Sequence, residues 1–201
     1  MNTDSLLNNK INSIIELYSI GHIREALDTV ENLTSEHPNE SLLHNIGGVC
    51  YKATGQLETA VKSFERAVAI KHDFADAHYN LGLTLQELNQ LDAAIKPYKK
   101  ALSIQPNYAM AHNNLGIIYR ELGQMDDSIK SYEQALSIQP DFAEVHNNLG
   151  NALNELGKSD EAIKHYQKVL AINPDNAEVH NNLGNALNEL GKSDEAIKHY
   201  Q

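Results

Sequence analysis

The segment 109–142, AMAHNNLGIIYRELGQMDDSIKSYEQALSIQPDF, sets the terms on which the rest of the chain must fold, because almost everything else copies it. The same frame fits 41–74, 75–108, 143–176 and the incomplete 177–201, each starting 34 residues after the last. A fixed period of that length, built of two helical patterns and a turn, specifies a stacked array rather than one closed core. Residues 1–40 meet the frame at Leu17, Gly21, Ala26, Val30, Leu33 and Pro38, and read as a divergent first repeat. Its opening helix carries Leu7, Ile11, Ile14, Ile15 and Tyr18 at helical spacing, with Asp4 or Ser5 as the expected N-cap.

Charge and composition narrow the function classes. Lys and Arg total 16 against 27 Asp and Glu, a formal net charge of −11, so the average field repels phosphate backbones and anionic membrane surfaces. No nucleic acid and no membrane is expected as partner. The single cysteine, Cys50, forms no internal disulfide, and no basic segment followed by an apolar run opens the chain. A cytoplasmic protein is the expectation. There is no Gly-rich phosphate loop, G-x-S-x-G or Cys–His pair in a catalytic context, so neither catalytic residues nor a cofactor are assigned and no enzymatic activity is expected. Cys50 reads as an inert packing residue.

Each unit reads as a first helix A of about 14 residues, a short turn and a second helix B of similar length; helices this short are marginal alone in water. Stacking must therefore supply their stability, with Gly48, Gly82, Gly116, Gly150 and Gly184 allowing close approach and Phe64, Tyr98, Tyr132, Tyr166 and Tyr200 as the large partners. Turn glycines suit a left-handed residue after helix A, and Asn89 is the one departure from glycine there. Phe74, Tyr108 and Phe142 close three units; Asn176 replaces them in the next, which predicts a looser junction. Pro97 falls inside a helix B pattern, deletes the hydrogen bond to the Ala93 carbonyl and predicts a bend.

The A-x-x-H-x-N-L-G opening, the Leu-Gly turn, the Tyr and Ala-Leu of helix B and the closing Pro-Asp or Pro-Asn together resemble the tetratricopeptide repeat family over essentially the whole chain. That resemblance implies an all-α fold, a right-handed α-solenoid of antiparallel helix pairs with helix A on its inner, concave wall. His44, His78, His112, His146 and His180 recur in register, but a full repeat separates them, whereas zinc needs three or four ligands converging at about 2.0–2.3 Å. No metal site is assigned. In the family this position holds a packing side chain, which implies structural imidazoles.

The informative pattern is the side of helix A that does not pack. The fifth, sixth, ninth, twelfth and thirteenth residues of each unit share one side of that helix. They include Tyr79, Asn80, Leu83 and Glu87, then Asn113, Asn114, Ile117 and Glu121, then Asn147, Asn148, Asn151 and Glu155, and finally Asn181, Asn182 and Asn185. Asparagine is a poor helix former, so its accumulation on one face requires a reason. Two readings stand: the amides bond to one another or to the adjacent helix and hold the repeats in register, or they match the backbone of an extended peptide. The second is similar to the asparagine ladder lining the superhelix of O-linked N-acetylglucosamine transferases, where the Asn before Leu-Gly does that work; Asn80, Asn114, Asn148 and Asn182 match it and Ile46 does not.

The carboxylate clamp of chaperone-binding relatives needs basic residues where this chain has Asn45, Tyr79, Asn113, Asp76 and Glu144, so it is absent. Glu87, Glu121, Glu155 and Glu189 form an acidic rung that favours a protein or peptide partner bearing Lys or Arg. The expected function is a protein–protein interaction scaffold. Two alternatives are kept: the substrate-recruiting or assembly part of a larger glycosyltransferase, sulfotransferase or methyltransferase, and a self-assembling architectural repeat. The residues 143–167 and 177–201 are identical, and the sixth unit stops before the Ala-Leu or Val-Leu of helix B, which predicts self-association through uncovered Leu183, Leu187 and Tyr200.

Overall fold

The computed structural model describes residues 3–200, with side chains from 6 to 200; the Asp4 or Ser5 cap lies outside the described side chains. Twelve α-helices and no strands occur among the described residues, in two compact units, Met1–Pro106 and Asn107–Gln201. The first unit holds α1 (Thr3–Ser19), α2 (Ile23–Glu36), α3 (Ser41–Ala53), α4 (Leu57–Ile70), α5 (Ala75–Glu87) and α6 (Leu91–Ile104). The second holds α7 (Ala109–Glu121), α8 (Met125–Ile138), α9 (Ala143–Glu155), α10 (Ser159–Ile172), α11 (Ala177–Glu189) and α12 (Ser193–Ile197). Odd-numbered helices are the A helices and even-numbered ones the B helices. No described helix is long and apolar enough to cross a membrane.

Each A helix stops at a left-handed residue. Gly123 has φ 72°, its N–H donates to Arg120 O at 2.9 Å, and Gln124 N donates to Tyr119 O at 2.7 Å, the paired bonds of a Schellman turn. Asn89 adopts φ 57° and makes the same two bonds, Asn89 N to Gln86 O at 2.9 Å and Gln90 N to Leu85 O at 2.8 Å. The turn reverses the chain and lays helix B back on helix A. There the aromatic ring of helix B seats on the helix A glycine: a Cβ built on Gly150 would stand 2.6 Å from the Tyr166 ring, and one on Gly116 2.5 Å from Tyr132. Phe64, Tyr98, Tyr132 and Tyr166 are fully buried by this arrangement. The glycine is thus a seat for a ring, a more specific role than close helix approach.

Around the seats the apolar side chains merge into continuous cores. In the first unit Ile14, Val30, Leu33, Leu43 and Cys50 belong to one cluster, and burial pushes the Cys50 thiol up to about 11, which keeps it protonated and unreactive. In the second, Val145, Leu149, Tyr166, Val169, Val179 and Leu183 do so. Leu183 and Leu187 are 2% and 5% exposed, so the expectation that they lack a cover is corrected: α12 and α9 to α11 already enclose them. Asn176 does not loosen its junction either, since its side chain caps α11 by accepting from Val179 N at 3.1 Å while Val169 and Val179 share the core. α6 continues across Pro97, whose side chain is buried.

The recurrent histidines tie helix A to the connection before it. Nε2 of His44, His78, His146 and His180 lies 2.9, 3.1, 2.8 and 2.8 Å from the carbonyl oxygens of Pro38, His72, Pro140 and Pro174. A carbonyl only accepts, so Nε2 carries the proton and neutral His146 presents a bare Nδ1. That nitrogen is 2.9 Å from His165 Nδ1, which must donate; His180 and His199 repeat the geometry at 3.0 Å. Protonating both rings would set one Nδ1–H against the other. Burial, with the His146 ring as second cause, lowers His165 to about 4, and burial also lowers His146.

Both folded pKa values lie below the ordinary histidine value, so the unfolded chain binds more protons and stability falls as pH drops from about 6.5 towards 4. His165→Ser, copying Ser63 and Ser131, should flatten that fall. Melting curves across this pH range check it, and an unchanged acid slope contradicts it.

Candidate functional site

The unpacked side of the A helices carries a repeating set of bonds between neighbouring repeats. In the second unit Asn148 Nδ2 donates to Asn113 Oδ1 at 3.1 Å, and Asn182 Nδ2 to Asn147 Oδ1 at 3.3 Å and Asn151 Oδ1 at 3.1 Å. In the first unit Asn80 Nδ2 donates to Asn45 Oδ1 at 3.1 Å. The rule is an offset: the sixth residue of one repeat reaches the fifth of the repeat before it. Asn113 and Asn147 in turn donate to Glu144 and Glu178 at 3.0 and 3.1 Å. Asn45 is therefore part of the ladder, which sequence comparison at equal positions missed; looking one position back in the preceding repeat would have found it.

A second offset links the twelfth residue of one repeat to the thirteenth of the next. Lys52 Nζ pairs with Glu87 at 2.8 Å, Arg120 Nε with Glu155 at 3.6 Å, and Asn154 Nδ2 donates to Glu189 Oε1 at 3.3 Å. Ser159 Oγ adds a bond to Glu189 Oε2 at 2.8 Å. Two rungs of the acidic row thus already face a cation of the preceding repeat. Such partly exposed pairs are each worth about 0–1 kcal/mol, and they order the face more than they stabilise the fold.

The candidate residues sit at different depths. Asn113 and Asn114 are buried; Tyr79, Asn80, Leu83, Ile117, Asn147, Asn148, Asn151 and Asn182 are half-buried; Asn181, Asn185, Glu87, Glu121 and Glu155 are exposed. Asn151, Asn182, Asn185, Glu178 and Arg120 border a polar depression of about 230 Å³ in the second unit. Its floor includes Tyr166, whose hydroxyl donates to Asn151 Oδ1 at 2.8 Å, as Tyr200 does to Asn185 Oδ1 at 2.9 Å and Tyr98 to Gln86 Oε1 at 3.0 Å. Seated rings of helix B therefore reach through to the amide face and fix its side chains from beneath. No group of three His, Cys, Asp or Glu among the described residues is arranged to hold a metal ion.

One ring lacks its acceptor. Tyr132 faces a helix A bearing Ile117 and Arg120 where its counterparts meet Asn151, Asn185 or Gln86, and its buried hydroxyl has no hydrogen-bond partner among the described residues. The Ser128 hydroxyl donates to Gly116 O at 2.8 Å and makes no hydrogen bond to the phenol. Burial pushes the Tyr132 phenol up to about 12, and Tyr166 is raised by the same cause. An unsatisfied buried hydroxyl costs about 1–3 kcal/mol, while a satisfied one contributes about 0.5–1.5 kcal/mol. Tyr132→Phe should therefore raise the urea midpoint and Tyr166→Phe lower it. Equal effects of the two substitutions contradict this assignment.

The TPR repeat profile matches residues 48–89, 85–123, 116–157 and 150–191. No curated protein matches the chain significantly. Among solved structures, MamA is similar at 27% identity over 81% of this chain and 95% of its own, with a TM-score of 0.75. PilW, a widely conserved type IV pilus biogenesis factor, shares 22% identity over 99% of this chain and 91% of its own, with a TM-score of 0.83. YrrB, described as a TPR protein with an unusual peptide-binding site, shares 20% over 85% and 88%, with a TM-score of 0.73. The helix pairs, the ring-on-glycine seats and these matches agree, and the chain belongs to the TPR repeat family.

Proposed function

We propose that this chain is a non-enzymatic scaffold that binds an extended peptide segment along the amide face of its A helices. The observation that carries the reading is the way the ladder is held. Asn80, Asn148 and Asn182 are each oriented by bonds from Nδ2 to a neighbouring repeat while remaining half-buried, so their positions are set before any ligand arrives. An asparagine amide has two N–H donors and one carbonyl acceptor, the groups a peptide backbone complements without demanding particular side chains. Pre-set donors and acceptors reduce the ordering cost of binding. Register-holding and ligand-holding are then successive uses of one amide row. The peptide-binding site ascribed to YrrB supports the class of ligand.

Charge adds a preference for Lys or Arg in the bound segment. It rests on the exposed Glu121 and on Glu144 and Glu178, which accept from neutral amides, rather than on Glu87 and Glu155, which already face Lys52 and Arg120. Selection of a random-peptide display library on the full chain should enrich extended basic sequences. The double variant Asn114→Ala, Asn148→Ala should weaken the selected peptides roughly 5- to 100-fold, the loss of about two hydrogen bonds of 0.5–1.5 kcal/mol each. A lower melting temperature with unchanged affinity would assign these amides to register alone.

A further inference from the structure

The opposite side of the first unit carries a second surface, independent of the amide face. Between α4 and α6, over α5, lies an open groove of about 810 Å³. Its apolar lining is Val61, Val68, Leu81, Leu85, Ala93 and Pro97. The equivalent space between α2 and α4 is about 400 Å³ and mixes polar groups such as Glu31, Thr34 and Ser63 with Val30 and Leu43. In the second unit the equivalent place over α9 is taken by His165, held against His146 at 2.9 Å. His78 occupies the His146 position, but the residue facing it is Pro97, which cannot extend across or donate.

Comparison of the repeats with one another shows that this groove is not an accident of a single proline. At the Ala93 position the other copies have Thr59, Asp127, Glu161 and Glu195; at Lys99 they have Glu65, Glu133, Gln167 and Gln201. Three departures on one helix, Ala93, Pro97 and Lys99, all make the same place more apolar or more basic. The result is a B helix with Lys96, Lys99 and Lys100 against Asp92 alone, in a chain of net charge −11. All three lysines border the groove, and the one carboxylate in its lining is Glu65. The neighbouring Lys100 charge also helps burial hold His78 neutral, against the pull of its His72 hydrogen bond. Proline further leaves the Ala93 carbonyl without its usual i+4 amide donor at the groove wall.

We propose that this groove docks an acidic amphipathic helix of a partner protein, its apolar side chains resting on Leu81, Leu85 and Pro97 and its carboxylates meeting the α6 lysines. Helix-in-groove recognition needs an apolar trough with complementary charge along its rim, and this is the place on the described surface where the repeats' own pattern was altered to give both.

The test uses the full chain and a fluorescein-labelled peptide of about 16 residues, roughly four helical turns, with Leu at i, i+3, i+4 and i+7 and Glu elsewhere. Controls are a scrambled peptide and one with Gln for Glu, which keeps the length and the Leu spacing and removes the charge. Anisotropy should show saturable binding of the acidic amphipathic peptide, at least about tenfold tighter than either control and weakened by salt as screening shortens. The double variant Ala93→Glu, Lys99→Glu, which copies residues tolerated in the other repeats, should weaken it by about tenfold or more. Pro97→His, filling the groove as His165 does, should also weaken it, and Asn114→Ala with Asn148→Ala should leave it unchanged. Absence of saturable binding, equal binding of a control, indifference to both groove variants, or sensitivity to the asparagine pair would each overturn the proposal.

Discussion

The contact on which the structure depends is an aromatic ring of helix B lying on a glycine of helix A. Tyr166 over Gly150 and Tyr132 over Gly116 leave no room for even a methyl group, since an added Cβ would come within 2.6 Å of the ring. A close-packed interior meets such a clash with shifts typically costing about 1–3 kcal/mol. This seat fixes the distance and rotation of each helix pair, and so decides which side of helix A is left over. In the short helices of this chain, propensity alone could not do so.

From that seat the polar face follows. The ring is buried, but its hydroxyl emerges among the amides: Tyr166 reaches Asn151 and Tyr98 reaches Gln86. Amides and carboxylates then connect one repeat to the next at fixed offsets, Asn148 to Asn113 and Lys52 to Glu87. Core and face are therefore coupled through tyrosine. A purely apolar ring at this place would keep the packing and lose the orientation of the amide row. The histidines do the complementary task at the other end of helix A, anchoring it to the preceding proline-containing connection in His146 and His180.

Much of this was legible in the residues. The 34-residue period located the helix pairs, and the asparagine accumulation marked the unpacked side. What sequence could not supply was displacement along the stack. Comparing Asn80, Asn114, Asn148 and Asn182 with one another hid the fact that Asn80 bonds to Asn45 and Asn148 to Asn113, because neighbouring repeats meet one position out of step. The acidic row misled for the same reason, since Lys52 and Arg120 lie out of step with Glu87 and Glu155. Pro97 predicts a bend from local pattern alone; that it lines one groove with His78 depends on how α6 packs beside α5, which no local pattern contains.

The proposed function places the peptide on the amide side of the A helices. Side-chain NH₂ resonances of asparagine in a ¹⁵N-labelled full chain report on it directly, because the ladder groups themselves are observed. On titration with a display-selected basic peptide, the resonances of Asn147, Asn148, Asn151, Asn182 and Asn185 should move together and saturate at one affinity. If those resonances stay in place while saturable shifts appear only on the B helices, the peptide binds elsewhere and the claim is wrong.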